Sequence, residues 1–154
     1  MPSKVSVITP VFNGARFIDQ YFLTLCNQTY DNVELIIVDD GSSDDTFDLV
    51  KEKKEVLKKK GWNIIVLKQD NQGAAAAVNN ALKVVTGDYL MLFDIDDILY
   101  PDNIKVKALF LDENPEFGMV RCNGYMVFES DLNSKNKLLV VDDKEKKMSG
   151  SLMI

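Results

Sequence analysis

Short apolar runs alternate with helix-like patterns from residue 5 to residue 111, and this alternation constrains the fold more than any other feature. Strands are predicted where runs of β-branched and aromatic residues are too short for helices, at residues 5–9, 35–38, 62–67 and 89–93. Helices are predicted between and after them, at residues 17–25, 47–57, 73–85 and 101–111. Alternating strands and helices predict an α/β fold whose central sheet is mostly parallel and carries helices on both faces.

Several local signals predict where these elements end. Pro10 should stop the first strand, because proline has no N–H to donate to a neighbouring strand. Ser43 or Asp44 should cap the second helix, whose lysine run should face solvent and end at Gly61. Gly87 should follow the third helix at its C′ position.

The length of 154 residues fits one ordinary domain. A fifth strand is predicted at residues 119–128, so that residues 1–128 form the core. Residues 129–154 are more polar, and we expect them to begin a further segment that this chain leaves incomplete.

The chain is acidic, with 24 Asp and Glu against 18 Lys and Arg and a net charge of −6. Proteins that bind nucleic acid normally present a basic surface, so no nucleic-acid partner is expected. The first 50 residues carry eight acidic and two basic side chains, so carboxylates collect in the first third of the sequence.

The chain has no histidine and only two cysteines, and these counts exclude several classes of enzyme. Ser-His-Asp and Cys-His catalysis and ordinary zinc sites lack their parts, so any metal must be held by oxygen, which suits Mg²⁺, Mn²⁺ or Ca²⁺. Cys26 and Cys122 have no paired spacing, which favours a reducing, cytoplasmic compartment. No apolar run is long enough to span a bilayer, although peripheral attachment at the inner face of a membrane stays open.

Two predicted strands run directly into clusters of carboxylates. Asp94, Asp96 and Asp97 follow the fourth strand, and Asp39 and Asp40 follow the second. Three neighbouring carboxylates repel one another, so a cation or a donor-rich ligand is expected nearby, the alternative being a helix cap. For the Asp39-Asp40 pair, ordinary turn chemistry is the alternative. Because the carboxyl ends of parallel strands meet at one edge, the two clusters predict a single site shaped for a nucleotide.

An ordered set of short motifs resembles the family 2 glycosyltransferases of the GT-A fold. In chain order the motifs occupy residues 5–14, 27–30, 34–44, 71–73, 87–89, 94–97 and 101–102. The resemblance covers residues 4–128 and implies a Rossmann-like fold that binds a nucleotide-sugar donor, typically a UDP-sugar, with Mn²⁺ or Mg²⁺ as cofactor. It also implies transfer, by an inverting reaction, to a saccharide or other hydroxyl acceptor in cell-surface polysaccharide biosynthesis.

The resemblance assigns roles to particular residues. The implied nucleotide-binding residues are Pro10, Val11, Phe12, Asn13, Asp39, Asp40, Gly73, Asn79, Asp94 and Ile95. Phe12 would stack on the base, and Asp40 would accept a hydrogen bond from it. Asp94 and Asp96 would face the ribose and the metal-diphosphate unit, with Asp97 behind them.

The sequence departs from the family at two places. Relatives commonly carry Arg immediately before the helical Asn, where this chain has Val78 before Asn79. Relatives also place the catalytic base, an Asp or Glu, in an acceptor half far beyond the Asp-x-Asp motif, which implies a base beyond residue 154. The late carboxylates of this chain, Asp131, Asp142, Asp143 and Glu145, are more simply interpreted as exposed loop charges.

Two other functions compete with this interpretation. Residues 90–99 also resemble the nucleophile motif of haloacid-dehalogenase phosphotransferases, in which Asp94 would attack phosphorus and Asp96 would carry the proton. Against that resemblance, position 98 is Ile and the motif lies late in the chain. The third hypothesis is a nucleotide-binding half-domain that shares the donor-site residues but performs no catalysis.

Overall fold

A four-stranded parallel sheet organises the first part of the chain. The computed structural model describes residues 2–126 and 137–139, and the chain divides into two compact units, Met1–Ala108 and Leu109–Ile154. The strands are β1 (Val5–Val11), β2 (Val33–Asp39), β3 (Asn63–Lys68) and β4 (Tyr89–Leu92), in the order β3-β2-β1-β4. The predicted α/β fold with a parallel sheet is therefore confirmed.

Helices cover both faces of this sheet. They are α1 (Ile18–Cys26), preceded by a 3₁₀ turn at Ala15–Phe17, α2 (Thr46–Lys59), α3 (Ala74–Leu82) and α4 (Asn103–Glu113). On one face, α1, α2 and the start of α4 bury apolar residues such as Tyr21, Leu57 and Ile104. On the other face, Ala77 and Ala81 of α3 pack on the sheet, where their small side chains allow close approach. None of the helices in the described residues is both long and apolar enough to cross a membrane.

The second unit contains the end of α4 and a short antiparallel pair, β5 (Gly124–Met126) and β6 (Lys137–Leu139). The fifth strand is thus shorter than its prediction at residues 119–128, since residues 119–123 are not strand and 127–128 lie outside the described residues. The predicted boundary between residues 128 and 129 stays a prediction for the same reason.

Strand β1 does not stop at Pro10, as the sequence predicted, but continues to Val11. The Ile8 carbonyl accepts the Phe93 N–H of the β4 side at 3.0 Å, and the Val11 carbonyl accepts the Asp40 N–H of the β2 side at 2.8 Å. Because backbone groups alternate in direction along a strand, the Pro10 nitrogen faces the β4 side. The β1–β4 ladder ends at the pair Ile8–Leu92, so the missing N–H costs no hydrogen bond.

A glycine follows the helix end as predicted at Gly61 of α2 but not at Gly87. Helix α3 ends at Leu82, so Gly87 is not its C′ residue. Gly87 instead lies against β1, where its N–H donates to Ser6 Oγ at 2.9 Å and a Cβ atom would lie 2.5 Å from that oxygen. The N-cap residue of helix α2 is Asp45, while the predicted Asp44, one position earlier, accepts the Thr46 N–H at 3.1 Å. Gly61 follows the end of this helix as predicted, with a φ of +92°.

Candidate functional site

Hydrogen bonds join the loops that leave the carboxyl ends of β1, β2 and β3. Asn13 Oδ1 accepts the backbone N–H of Ser43 at 2.9 Å, and the Asn13 N–H donates to Ser42 Oγ at 2.9 Å. Asn13 holds a positive φ of 49°, a conformation that asparagine tolerates better than most residues. The Gln69 N–H after β3 donates to the Asp39 carbonyl oxygen at 2.9 Å. Three of the four strand ends therefore form one connected surface.

The fourth strand end joins this surface through a close contact at Gly14. A Cβ atom on Gly14 would lie 2.7 Å from Val11 Cγ2 and 3.4 Å from Ile95 Cγ2, so only glycine allows these loops to meet as they do. Thr9 Oγ1 also donates to the Phe93 carbonyl at 2.7 Å, directly before the Asp94 cluster. The structure therefore brings together the three segments that sequence reasoning assigned to one site.

The carboxylate of Asp40 is held by donors from the segment that leads into α3. Oδ1 accepts the Gln69 side-chain amide at 2.8 Å and the Gln72 N–H at 2.9 Å, and Oδ2 accepts the Gly73 N–H at 2.8 Å. Burial favours the neutral acid, but these hydrogen bonds outweigh it and lower the pKa of Asp40 below its ordinary value. Asp40 is thus a buried, ionised acceptor and also an anchor for the α3 segment.

A cleft opens beside Asp40. It is lined by Pro10, Val11, Phe12, Asp40 and Ala74, and it encloses about 220 Å³ of space open to solvent. Phe12 is 51% exposed, so its ring is available to a planar ligand. Four of these lining residues were assigned to nucleotide binding from the sequence, while Ala74, the first residue of α3, was not. Its position immediately after Gly73 is the signal that would have indicated it.

Asp39 lies away from this cleft, although the sequence grouped it with Asp40. Its side chain is 1% exposed, and neither oxygen has a hydrogen-bond partner in the structure. Lys68 Nζ approaches Asp39 Oδ2 at 3.6 Å and also lies over the ring of Phe47 on α2. Asp39 therefore faces the α2 side of the sheet, whereas Asp40 faces α3.

The residues after β4 form an acidic loop at the same edge of the sheet. Asp94 and Asp96 are exposed, and Ile95 between them packs into the core. Partial burial, together with the negative charges of Asp94 and Asp96, raises the pKa of Asp97. The loop therefore concentrates negative charge that a cation would relieve.

Carboxylate oxygens at such a loop suit Mg²⁺ or Mn²⁺, which bind through one or two carboxylates and share the remaining positions with water and substrate phosphate. Within residues 2–126 and 137–139, no group of three metal-ligating side chains surrounds one point. Two exposed aspartates supply too few ligands to hold a metal by themselves. They suit a metal whose remaining ligands come from water and a diphosphate. The donor set of Asp94 and Asp96 therefore fits the predicted cofactor.

The remaining predicted residues lie on α3 or outside the described chain. Gly73 precedes α3 with a φ of +88°, and Asn79 is exposed on that helix. Val78, where the resemblance implies Arg, packs against the apolar cluster under α3. The late carboxylates Asp131, Asp142, Asp143 and Glu145 lie outside the described residues.

Sequence reasoning gave no structural role to the motif at residues 27–30, and the structure supplies one. Gln28 is 2% exposed, and its side chain donates to the Tyr100 carbonyl at 2.9 Å. Thr29 Oγ1 donates to Asp102 Oδ1 at 2.6 Å, and the Thr29 N–H donates to the Pro101 carbonyl at 2.9 Å. These contacts fix the segment that leaves the acidic loop.

Comparison with solved structures places this architecture among nucleotide-sugar enzymes. The TM-score is 0.67 to Staphylococcus aureus TarS 1–349 in complex with UDP-GlcNAc, at 28% identity over 85% of this chain and 38% of that one. It is 0.69 to the mannosyltransferase PcManGT from Pyrobaculum calidifontis in complex with GDP-Man and Mn²⁺, at 27% identity over 79% of this chain and 36% of that one.

Sequence relatives agree with the structural ones. A Haemophilus influenzae glycosyltransferase is 32% identical over 92% of this chain, and a Rickettsia felis glycosyltransferase is 37% identical over 73%. The chain spans 54% of the first relative and 18% of the second. Residues 6–149 match glycosyl transferase family 2. The chain therefore belongs to glycosyl transferase family 2, with the Rossmann-like GT-A fold that its motifs predicted.

Proposed function

We propose that this chain binds the nucleotide-sugar donor of a glycosyl transfer reaction, with a UDP-sugar as the donor. The observation that carries the proposal is the geometry of Asp40, an ionised and buried acceptor that lines the Phe12 cleft. Uracil offers an N–H donor at N3 that matches such an acceptor. The UDP and UDP-GlcNAc complexes of TarS support this donor class, and the GDP-Man complex of PcManGT shows a relative with another base.

In this proposal, residues at the end of β1 hold the base. The half-exposed ring of Phe12 gives the base a stacking surface, and Pro10 and Val11 form the apolar floor of the cleft. Asn13 contributes through its backbone carbonyl, because its N–H already donates to Ser42 Oγ and its side-chain oxygen already accepts from Ser43. Gly73, just before α3, and Asn79, further along that helix, are proposed to contact the nucleotide.

Asp94 and Asp96 are proposed to hold Mn²⁺ or Mg²⁺ at the acidic loop, with Ile95 lining the donor site and Asp97 behind them. Such a metal, when bound, neutralises charge on the departing diphosphate. The Mn²⁺ in the PcManGT complex supports a divalent ion. Through that ion the two aspartates would orient the diphosphate, which carries the same sign of charge as they do.

The proposed reaction is inverting transfer to a hydroxyl of a saccharide or other acceptor, in cell-surface polysaccharide synthesis. Such a transfer needs a carboxylate base within ~3 Å of the acceptor hydroxyl. We propose that this base belongs to sequence beyond residue 154, since the chain spans about half or less of these relatives. A cytoplasmic location, including the inner face of a membrane, accords with Cys26 and Cys122 being free thiols.

Calorimetry of UDP binding with and without Mn²⁺ tests the proposal. We expect UDP binding to require the metal. Equal UDP affinity in excess chelator would show that the metal is not needed for binding. The phosphotransferase hypothesis has no support from the family match, which includes Asp94 and Asp96. An assay of labelled UDP-sugar with mixed saccharide acceptors distinguishes a transferase from a non-catalytic half-domain. Glycoside formation by this chain would contradict the half-domain hypothesis.

A further inference from the structure

The acceptor capacity of Asp40 is almost completely used within the protein. An ionised carboxylate offers about four acceptor positions, two on each oxygen. At Oδ1, Gln69 and Gln72 occupy both positions, and at Oδ2 Gly73 occupies one. One position on Oδ2 therefore remains for a ligand. Since Asp40 is 2% exposed, little water competes for that position.

Gln69 keeps Oδ1 saturated only if its amide is turned the right way. A glutamine amide carries a donor group and an acceptor oxygen, so its reversal would place oxygen against the carboxylate. Asn80 of α3 supports the donating orientation, because its Nδ2 donates to Gln69 Oε1 at 3.0 Å and this bond would be lost if Gln69 alone reversed. The two contacts define one orientation, since Asp40 accepts only and must face the Gln69 nitrogen.

We propose that Gln69, oriented by Asn80, is a positioning residue that sets the base specificity of the donor site. By occupying the acceptor position of Oδ1 that the Gln72 N–H leaves open, the pair leaves Asp40 with a single acceptor position, on Oδ2, for the base. This inference rests on the proposed function, in which Asp40 accepts an N–H from the base.

The site would then distinguish pyrimidine bases by the donor and acceptor groups on their pairing edge. Uracil has an N–H at N3, whereas cytosine has an unprotonated acceptor nitrogen at that place. A fixed carboxylate oxygen repels that nitrogen, so UDP should bind and CDP should be refused. Without Gln69, Oδ1 regains one free acceptor position, which can take the exocyclic amine of cytosine while Gln72 and Gly73 still hold the carboxylate. The preference for UDP over CDP should then decrease.

The test measures calorimetric affinities of the 154-residue chain for UDP, CDP and pyrophosphate, each with Mn²⁺. The variants are Gln69→Leu, Asn80→Asp and their combination. Asn80→Asp replaces the donor by an acceptor, so Gln69 Oε1 loses its partner and faces a negative charge, which disturbs the amide that donates to Asp40. We expect each single variant to reduce the UDP-to-CDP preference about tenfold, as for one hydrogen bond to a charged group. The combination should reduce it no further than Gln69→Leu alone.

Gln20→Leu is the matched control, because it makes the same change at a half-buried position on α1, which packs on the opposite face of the sheet from α3. This control should leave all three affinities unchanged. Pyrophosphate affinity should also be unchanged in the Gln69 and Asn80 variants, because neither residue is proposed to contact phosphate.

The outcomes separate the inference from the function on which it rests. If UDP, CDP and pyrophosphate weaken equally in Gln69→Leu or Asn80→Asp, the pair only supports the fold and the inference is overturned. Should Asp40→Ala abolish the preference while both pair variants retain it, the proposed function stands and the inference alone fails. Retention of the preference in Asp40→Ala would overturn both.

Discussion

The side chain of Gln28, at the end of α1, is buried against the segment that follows the acidic loop, and its Nε2 donates to the Tyr100 carbonyl at 2.9 Å. The same amide nitrogen donates to the Thr24 carbonyl at 3.3 Å, and Oε1 accepts the Ile104 N–H at 3.4 Å. One side chain therefore ties α1 to the first residues of α4.

Gln28→Leu should destabilise the chain by about 1–3 kcal/mol, because it leaves buried backbone groups of this segment without partners. Urea unfolding measures the loss, with the half-buried Gln20→Leu as a control of the same chemistry. A Gln28→Leu variant as stable as the control would show that the segment holds its place without this side chain.

Gly14→Ala should weaken the contact between the loops after β1 and β4. The added Cβ would lie 2.7 Å from Val11 Cγ2, which overpacks a site whose neighbour is itself buried. A loss of about 1–3 kcal/mol is expected from such overpacking. Gly61→Ala is a useful comparison, since nothing lies within 4 Å of its added Cβ and only its positive φ is strained.

Glu34 makes part of the stability dependent on pH. Burial favours its neutral form, but hydrogen bonds from Thr86, Ser6 and Lys4 outweigh burial and lower the pKa of Glu34 from 4.5 to about 2. A carboxylate with a lowered pKa stabilises the folded state above its unfolded pKa, and that contribution is lost as pH falls. Unfolding free energy should therefore decrease from pH 4.5 toward pH 2.

Glu34→Gln should remove that part of the pH dependence and cost about 1–3 kcal/mol at neutral pH, because a charge-assisted network loses its acceptor. Urea titrations at pH 7 and pH 3 measure both effects. The variant should retain UDP binding, since Glu34 lies at the amino ends of the strands, opposite the site. An unchanged difference between the two pH values would show that other carboxylates carry it.

Asp40→Ala should weaken UDP by about 1.5–3 kcal/mol while manganese-pyrophosphate binding changes little, since its proposed partner is the base. Some stability should also be lost, because the N–H groups of Gln72 and Gly73 lose their acceptor. Calorimetry of folded protein separates the effects. Equal weakening of UDP and pyrophosphate would show that Asp40 maintains the shape of the site instead of reading the base.

Asp96→Asn should reduce the Mn²⁺ dependence of UDP binding, because it removes one charged oxygen from the proposed metal position. UDP titrations at several Mn²⁺ concentrations measure the change. Asp102→Asn provides a control outside the metal position, and it should leave the Mn²⁺ dependence intact. Identical Mn²⁺ dependence in the Asp96→Asn variant and the unmodified chain would exclude Asp96 from metal binding.

The fold class could be anticipated because β-branched runs and helical periods alternate regularly, and both signals are local. The strand order β3-β2-β1-β4 was not predicted. The meeting of the loops after β1, β2 and β4 also followed from sequence, since strand ends in a parallel sheet share one edge. The assignment of Pro10, Phe12 and Asp40 to one place depended on that rule.

Side-chain direction could not be anticipated in the same way. Asp39 and Asp40 are adjacent in sequence, yet alternation along a strand sends them to opposite faces. The partners of Gln28 lie 72 and 76 residues away, so no local pattern shows them. Gln69 follows β3 directly, as Asp40 follows β2. This equivalent position is the sequence signal that could have identified Gln69 as a site residue.

Pro10 limits the backbone pairing of β1 at the edge of the sheet where the site forms. Its nitrogen faces the place where β4 has already ended, and a ring nitrogen offers no hydrogen to any strand that might extend there. The backbone ladder between β1 and the β4 side therefore ends with the bond from the Phe93 N–H to the Ile8 carbonyl. Beyond that point the two segments are joined by a side chain, because Thr9 Oγ1 donates to the Phe93 carbonyl.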